Sequence, residues 1–278
     1  MDANQHLVTS LPLRRSLTPI YVLSFIIGIL MAMASLGSIL TRAVIYPTDD
    51  LLQSFVPTDV TIVCIGVPML LGSMWLTWRG KLIGLLLWPG VLFFVLYNYL
   101  TYVFAMPFNV AFLLHLALVG LSAYALIGLL ASIEGKTVQQ QLAGFVPERL
   151  VGGILAGLGL LFFLRAISLL VNALIGQTPM PETEVALNAT DSLTAPAWVL
   201  CGILLWRRRE FGYVTGLSLL FQASLLFIGL IVFLLIQPIL TTAAFSLVDV
   251  AVVFVMGLIC FVPFALYVRG VVSSTKRQ

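Results

Sequence analysis

Residues 194–236 read TAPAWVLCGILLWRRREFGYVTGLSLLFQASLLFIGLIVFLLI. Two apolar runs flank a turn of three consecutive arginines, Arg207, Arg208 and Arg209. The second run continues from Phe211 to Ile236 without a charge. Roughly 20 apolar residues suffice to carry a helix across a ~30 Å hydrocarbon core. This stretch therefore reads as two membrane spans hinged at a basic loop.

The same pattern repeats along the chain. Apolar runs fall at about 18–41, 60–78, 82–105, 110–133, 150–175, 194–206, 211–236 and 246–268. The sixth is short and is expected to begin near Asp191, with Asp59 and Asp191 capping the helices they head. Lipid offers no partner to a free backbone group, so each run must be helical. A membrane β-barrel would show shorter segments of alternating polarity. Composition agrees: 61% of the 278 residues are hydrophobic and only 9% charged. A soluble domain carries about 25% charged residues. The predicted fold is an all-α membrane protein, an eight-transmembrane-helix bundle.

The charges sort by loop. Arg14 and Arg15, Arg79 and Lys81, Lys136 and Arg149, Arg207 to Arg209, and Arg269, Lys276 and Arg277 occupy alternate gaps. They are twelve of the fourteen basic residues; Arg42 and Arg165 are the others. The opposite gaps hold Asp49, Asp50, Asp59, Glu182, Glu184, Asp191 and Asp249. The positive-inside rule then places both termini in the cytoplasm, as expected of a multi-pass protein of the plasma membrane. Arg14 and Arg15 before Ala32-Met33-Ala34 have the outline of a cleaved signal. The run continues through Leu40, and a retained first span is expected. The basic residues are scattered over five loops, which does not describe a nucleic-acid surface. The lipid bilayer is the expected partner.

A second regularity is internal. At an offset of 128 residues, Pro68, Leu76, Trp78, Arg79 and Gly84 match Pro196, Leu204, Trp206, Arg207 and Gly212. Two parallel four-helix repeats would follow, since four is even. The expected division is a segment 1–17, a first half 18–133, a linker 134–149, a second half 150–270 and a tail 271–278.

Chemistry-bearing motifs are few. Cys64, Cys201 and Cys260 lie within apolar runs and form no metal-ligand spacing. Neither a metal nor a cofactor is expected. Gly153 and Gly157, interleaved with Gly152 and Ala156, mark a helix-packing face. Pro89-Gly90 is the expected hinge of the third span. Around Leu86-Leu87-Trp88-Pro89-Gly90 through Tyr97-Asn98-Tyr99, and at Trp206-Arg207-Arg208-Arg209, the chain resembles a group of prokaryotic multi-pass membrane proteins without an assigned function. The resemblance implies the architecture and no catalytic residues.

The polar residues inside the runs gather toward the acidic end. At ~1.5 Å per residue, Arg165 lies ~23 Å and Asn98 ~24 Å from the basic end, and His115 ~8 Å below the acidic end. A binding site is expected from Asn98, His115, Arg165 and Asp191, walled by Tyr99 and Tyr102, with Arg42, Asp59 and Asp249 around it. Arg165 is expected to pair with Asp191 or Asp249 and to favour a small anionic or zwitterionic ligand or lipid head group. Binding or transport is the leading function. The alternatives are an outer-face membrane enzyme, the less favoured class, and a structural or accessory subunit. The lack of an ionisable residue near the midplane argues against coupled transport.

The sidedness is directly testable. Single cysteines near Lys136 and Arg208 should label only from the cytoplasm, and those near Asp50 and Glu184 only from outside. Labelling of position 208 in intact cells would reverse the topology.

Overall fold

A computed structural model describes residues 11–275. The elements are α1 (Thr18–Leu40), α2 (Arg42–Ile45), α3 (Asp49–Thr61), a π-helical turn (Ile62–Gly66), α4 (Val67–Trp78), α5 (Leu82–Ala105) and α6 (Val110–Ser132). They continue as α7 (Gly135–Leu142), α8 (Glu148–Gly176), α9 (Glu182–Trp206), α10 (Glu210–Leu240) and α11 (Leu247–Thr275). Eight helical segments among the described residues are long and apolar enough to span a membrane, with α3, the π turn and α4 acting as one. The protein is thus an integral multi-pass membrane protein. Lys276 and Arg277 lie outside the described residues, as does most of the expected 1–17 segment.

Two spans begin earlier than their apolar runs. The second starts at Asp49, where Thr48 accepts a hydrogen bond from the Leu51 N–H and Asp49 and Asp50 fill the first turn. These acidic groups sit at the positive end of the helix dipole. The sixth starts at Glu182, after Pro181. Asp59 and Asp191 are therefore interior residues of their helices and cap neither. Hydropathy misplaced both starts because the first turns are polar. The π turn precedes Pro68, whose ring nitrogen cannot donate to the preceding turn, and the ladder loosens there.

Helix α5 is the centre. Its most apolar window is 78% buried, against 17% for α8 and α11. It crosses α10 where a methyl group built on Gly90 would lie 2.2 Å from the Ser218 carbonyl oxygen. The Ser218 hydroxyl donates to the Leu86 carbonyl at 2.6 Å. Gly90 is therefore a point of closest approach inside a continuous helix, and the expected hinge is a packed crossing. Helix α8 docks on α9 through the expected small residues: Gly152 faces the Gly202 carbonyl, Ala156 faces Gly202, and Gly153 lies under the Trp206 ring. A Cβ built on Gly157 would meet no neighbouring element within 4 Å.

The turns at 79–84 and 207–212 have one geometry. Arg79, Gly80, Lys81 and Gly84 donate their backbone N–H groups to Trp75, Thr77, Leu76 and Lys81. Arg207, Arg208, Arg209 and Gly212 donate to Ile203, Leu205, Leu204 and Arg209, each 128 residues on. Gly80 and Arg208 both have positive φ, 71° and 54°. Gly84 and Gly212 each press on the last turn of the preceding helix, where a Cβ would come within 2.5 Å of backbone nitrogen.

Within 134–149, α7 buries Val138 and Leu142 against the bundle, and the Gln139 amide donates to the Arg208 carbonyl at 2.7 Å. Beside it, Arg14 grips Glu134 with two hydrogen bonds of 2.6 and 2.8 Å. That charge-assisted hydrogen bonding holds the Glu134 carboxyl below its usual range. At the other end, Thr183 donates to Asp50 at 2.8 Å and Gln237 to the Gln53 carbonyl at 3.2 Å.

The crossing makes a clear prediction. Gly90→Ala overpacks the α5–α10 contact and should cost about 1–3 kcal/mol. Gly120→Ala, on a face with nothing within 4 Å, should leave the melting temperature unchanged or raised. Equal melting of the two variants would remove the crossing from its structural role.

Candidate functional site

Tyr99 and Tyr102 stand three residues apart on α5 and share one of its faces. Tyr97 and Thr101 occupy the opposite face. Each face meets a carboxylate from a different half of the chain.

On the first face lies Asp59 of α3, 2% exposed. Its Oδ1 accepts a hydrogen bond of 2.9 Å from the Tyr102 hydroxyl. Its Oδ2 accepts one from the hydroxyl of Tyr46, which the chain delivers just before Pro47. Burial, and then the field of Asp59, pushes the Tyr46 phenol above its usual range. It therefore remains a protonated donor. His115 of α6 rests against Tyr102, with ring centroids 4.7 Å apart, and against Tyr99 at 5.7 Å. Phe55 closes the group at 4.4 Å from Tyr102. From α1, Ser35 lies close enough to interact with both Asp59 and Tyr99.

Three buried polar atoms in this group, Ser35 Oγ, Tyr99 Oη and His115 Nδ1, make no hydrogen bond of normal length and angle, although Ser35 stands near both Asp59 and Tyr99. Buried polar atoms are nearly always satisfied, by protein or by a bound water or ion. Half of the six such atoms found among the described residues fall within this one cluster. No cation stands opposite Asp59, since Arg14–Glu134 is the only ion pair within 4 Å among the described residues.

On the second face, Tyr97 donates to Asp191 of α9 at 2.8 Å, and Thr101 bonds Thr190 at 3.2 Å. The charge of Arg165 acts on both Asp191 and Tyr97. Arg165 is nonetheless exposed on α8 and does not reach Asp191 or Asp249 within 4 Å. The expected buried pair is replaced by a field across a longer gap, because α8 carries its arginine on the outer face.

The expected site residues thus divide. Asp59, Tyr99, Tyr102 and His115 come together. Asp191 and Arg165 form the second group, with α5 between it and His115. Asn98 donates to the Phe94 carbonyl of its own helix at 2.8 Å. Arg42, the first residue of α2, and Asp249, in the first turn of α11, are exposed. Tyr46 and Ser35 escaped the sequence reading. Tyr46 sits between apolar runs and has no spacing to Asp59 that signals contact, and Ser35 reads as a small packing residue.

Among the described residues, no three His, Cys, Asp or Glu side chains are placed to hold a metal ion. Comparison with family models, characterised proteins and solved structures finds no match.

The carboxylate and its tyrosines should be energetically coupled. Tyr102→Phe removes a donor from a buried carboxyl and should cost about 1–3 kcal/mol. In an Asp59→Leu background that cost should largely vanish. Additivity within ~0.5 kcal/mol in the double-mutant cycle would show that the bond does not stabilise the fold.

Proposed function

We propose that this membrane protein takes up a proton or small monovalent cation at Asp59 and uses that occupancy to bind or carry a small solute. One observation carries the reading: a carboxylate without a counter-charge, held by two tyrosine hydroxyls among three unpartnered polar atoms. Polar residues that served only to lock helices together would close their hydrogen bonds. Asp59, Tyr46, Tyr102, Tyr99 and Ser35 offer oxygen atoms, the donor type that small hard cations take.

Depth supports the same reading. Asp59 is ten residues beyond Asp49, ~15 Å along its helix. Asp191 is nine residues beyond Glu182, ~14 Å along. Both carboxylates lie deeper than hydropathy placed them. Coupling sites of transporters lie near the midplane, and an intramembrane ionisable residue is a functional site by default. Ionisable residues at these positions favour coupled transport. The solute we favour is zwitterionic or cationic. The anionic guest rested on Arg165, which faces outward, while the enclosed charge is that of Asp59.

The matching turns favour an internal duplication, with α5 and α10 as equivalent helices. Gly90 and Ser218 are themselves 128 residues apart, as two points on a pseudo-two-fold axis would be. Parallel repeats with both termini cytoplasmic, in the plasma membrane, complete the picture. The accessory-subunit reading would be the better one if the cluster proved indifferent to ions.

The test is thermal unfolding of purified protein across pH, in sodium chloride and in choline chloride at equal ionic strength. Wild type should gain about 2 °C or more from sodium or from a change in pH, by mass action on the folded state. Asp59→Asn should lose that response, and Asp249→Asn should retain it. A wild-type curve indifferent to both pH and sodium would overturn the proposal.

A further inference from the structure

A second site stands at the opposite end of the molecule, on different residues. Between α5, α6, α9 and α10 lies a crevice of about 430 Å³. Its floor is Pro89 and Phe93, and its walls include Leu126, Leu130, Cys201 and Leu219. Leu200, Ile203 and Phe211 at its rim are exposed, so it opens on the outer surface of the bundle. That surface faces hydrocarbon in a spanning helix bundle. Water gains nothing in such a place, since its lining is apolar and a buried water needs two to four polar partners. An acyl chain is the occupant whose chemistry fits.

The basic end of the crevice is charged. One helical turn beyond Leu204, and separated from Phe211 by Glu210 alone, stand Arg207, Arg208 and Arg209. With Gln139 and Glu210 they line a shallow depression of their own. All three arginines are exposed, and none pairs with a carboxylate within 4 Å among the described residues. Glu210 is the one acid in the depression, and Arg208 also acts on Glu148 behind it. Arginines beside a spanning helix attract anionic head groups.

The backbone adds an independent reason. Arg208 holds φ at 54°, a left-handed conformation that L side chains adopt at a cost. The equivalent turn makes the same four hydrogen bonds with Gly80, at φ 71°. Glycine is the relaxed solution, and the second half carries arginine instead. Strain retained where an easier residue is available points to a use for the side chain.

We propose that an anionic phospholipid binds here, its phosphate on Arg207, Arg208 and Arg209 and one acyl chain in the crevice between α6 and α9. The site involves none of the residues of the Asp59 cluster.

The experiment compares phosphatidylglycerol with phosphatidylcholine of the same chain length, added to delipidated protein in neutral detergent. Phosphatidylglycerol should raise the melting temperature by about 2 °C or more, and phosphatidylcholine by less than half as much. Native mass spectrometry should show phosphatidylglycerol retained preferentially. Arg208→Gly is the sharpest variant. It relaxes the turn, so the lipid-free protein should melt at the same temperature or higher, while the response to phosphatidylglycerol falls. Arg207→Gln/Arg209→Gln should reduce that response further. Equal responses to the two lipids, or an undiminished response in both variants, would overturn the proposal. So would inorganic phosphate or glycerol phosphate reproducing the shift, since the site would then be for a free anion.

Discussion

The close approach of α5 and α10 at Gly90 and Ser218 is the contact on which the remaining arrangement depends. Between helices in lipid there is no hydrophobic driving force, because the surrounding chains are as apolar as leucine. Association must come from close packing and from hydrogen bonds. Gly90 supplies the first by having no side chain, and Ser218 the second by bonding the Leu86 carbonyl. With α5 fixed at the centre, its two polar faces are turned toward α3 and α9. Tyr102 can then meet Asp59, and Tyr97 can meet Asp191.

This arrangement divides polar labour between the ends of the bundle. The acidic end holds its functional candidates inside, where a carboxylate and tyrosine hydroxyls form a small enclosed network. Such networks are costly when incomplete, because a low dielectric strengthens every unmet interaction. The unpartnered atoms around Asp59 are hence a stronger pointer to an occupant than any one of its polar residues. The basic end holds its candidates outside, as arginines on a tight turn beside an apolar crevice. A cation suits the first environment and an anionic amphiphile the second. The two sites share the scaffold and none of their residues.

The two half-sites on α5 also differ in a useful way. Asp59 is sealed by Tyr46, Phe55 and His115 and has no cation near it. Asp191 has the outward-facing Arg165 within electrostatic reach. The two faces of α5 thus carry different electrostatics.

Much of this was legible in the chain itself. Lipid forces every backbone group to be satisfied within its own segment, so apolar length alone determined eight helical spans. Offset matches such as Trp78 with Trp206 and Gly84 with Gly212 anticipated the paired turns. Helix starts were less legible, because Thr48, Asp49 and Glu182 are polar first-turn residues and hydropathy cannot separate them from loop. The candidate site was legible in its members and not in its grouping. Asn98, His115, Arg165 and Asp191 share a depth, which rise per residue gives. Which way each points is set by helix rotation about its axis, and only packing decides that. Tertiary structure put Arg165 outside, folded Asn98 onto its own helix, and brought Tyr46 and Ser35 to Asp59 from segments with no sequence signal. The sequence by itself determined the solvent and the number of spans; the crossing of α5 and α10 decided which side chains meet.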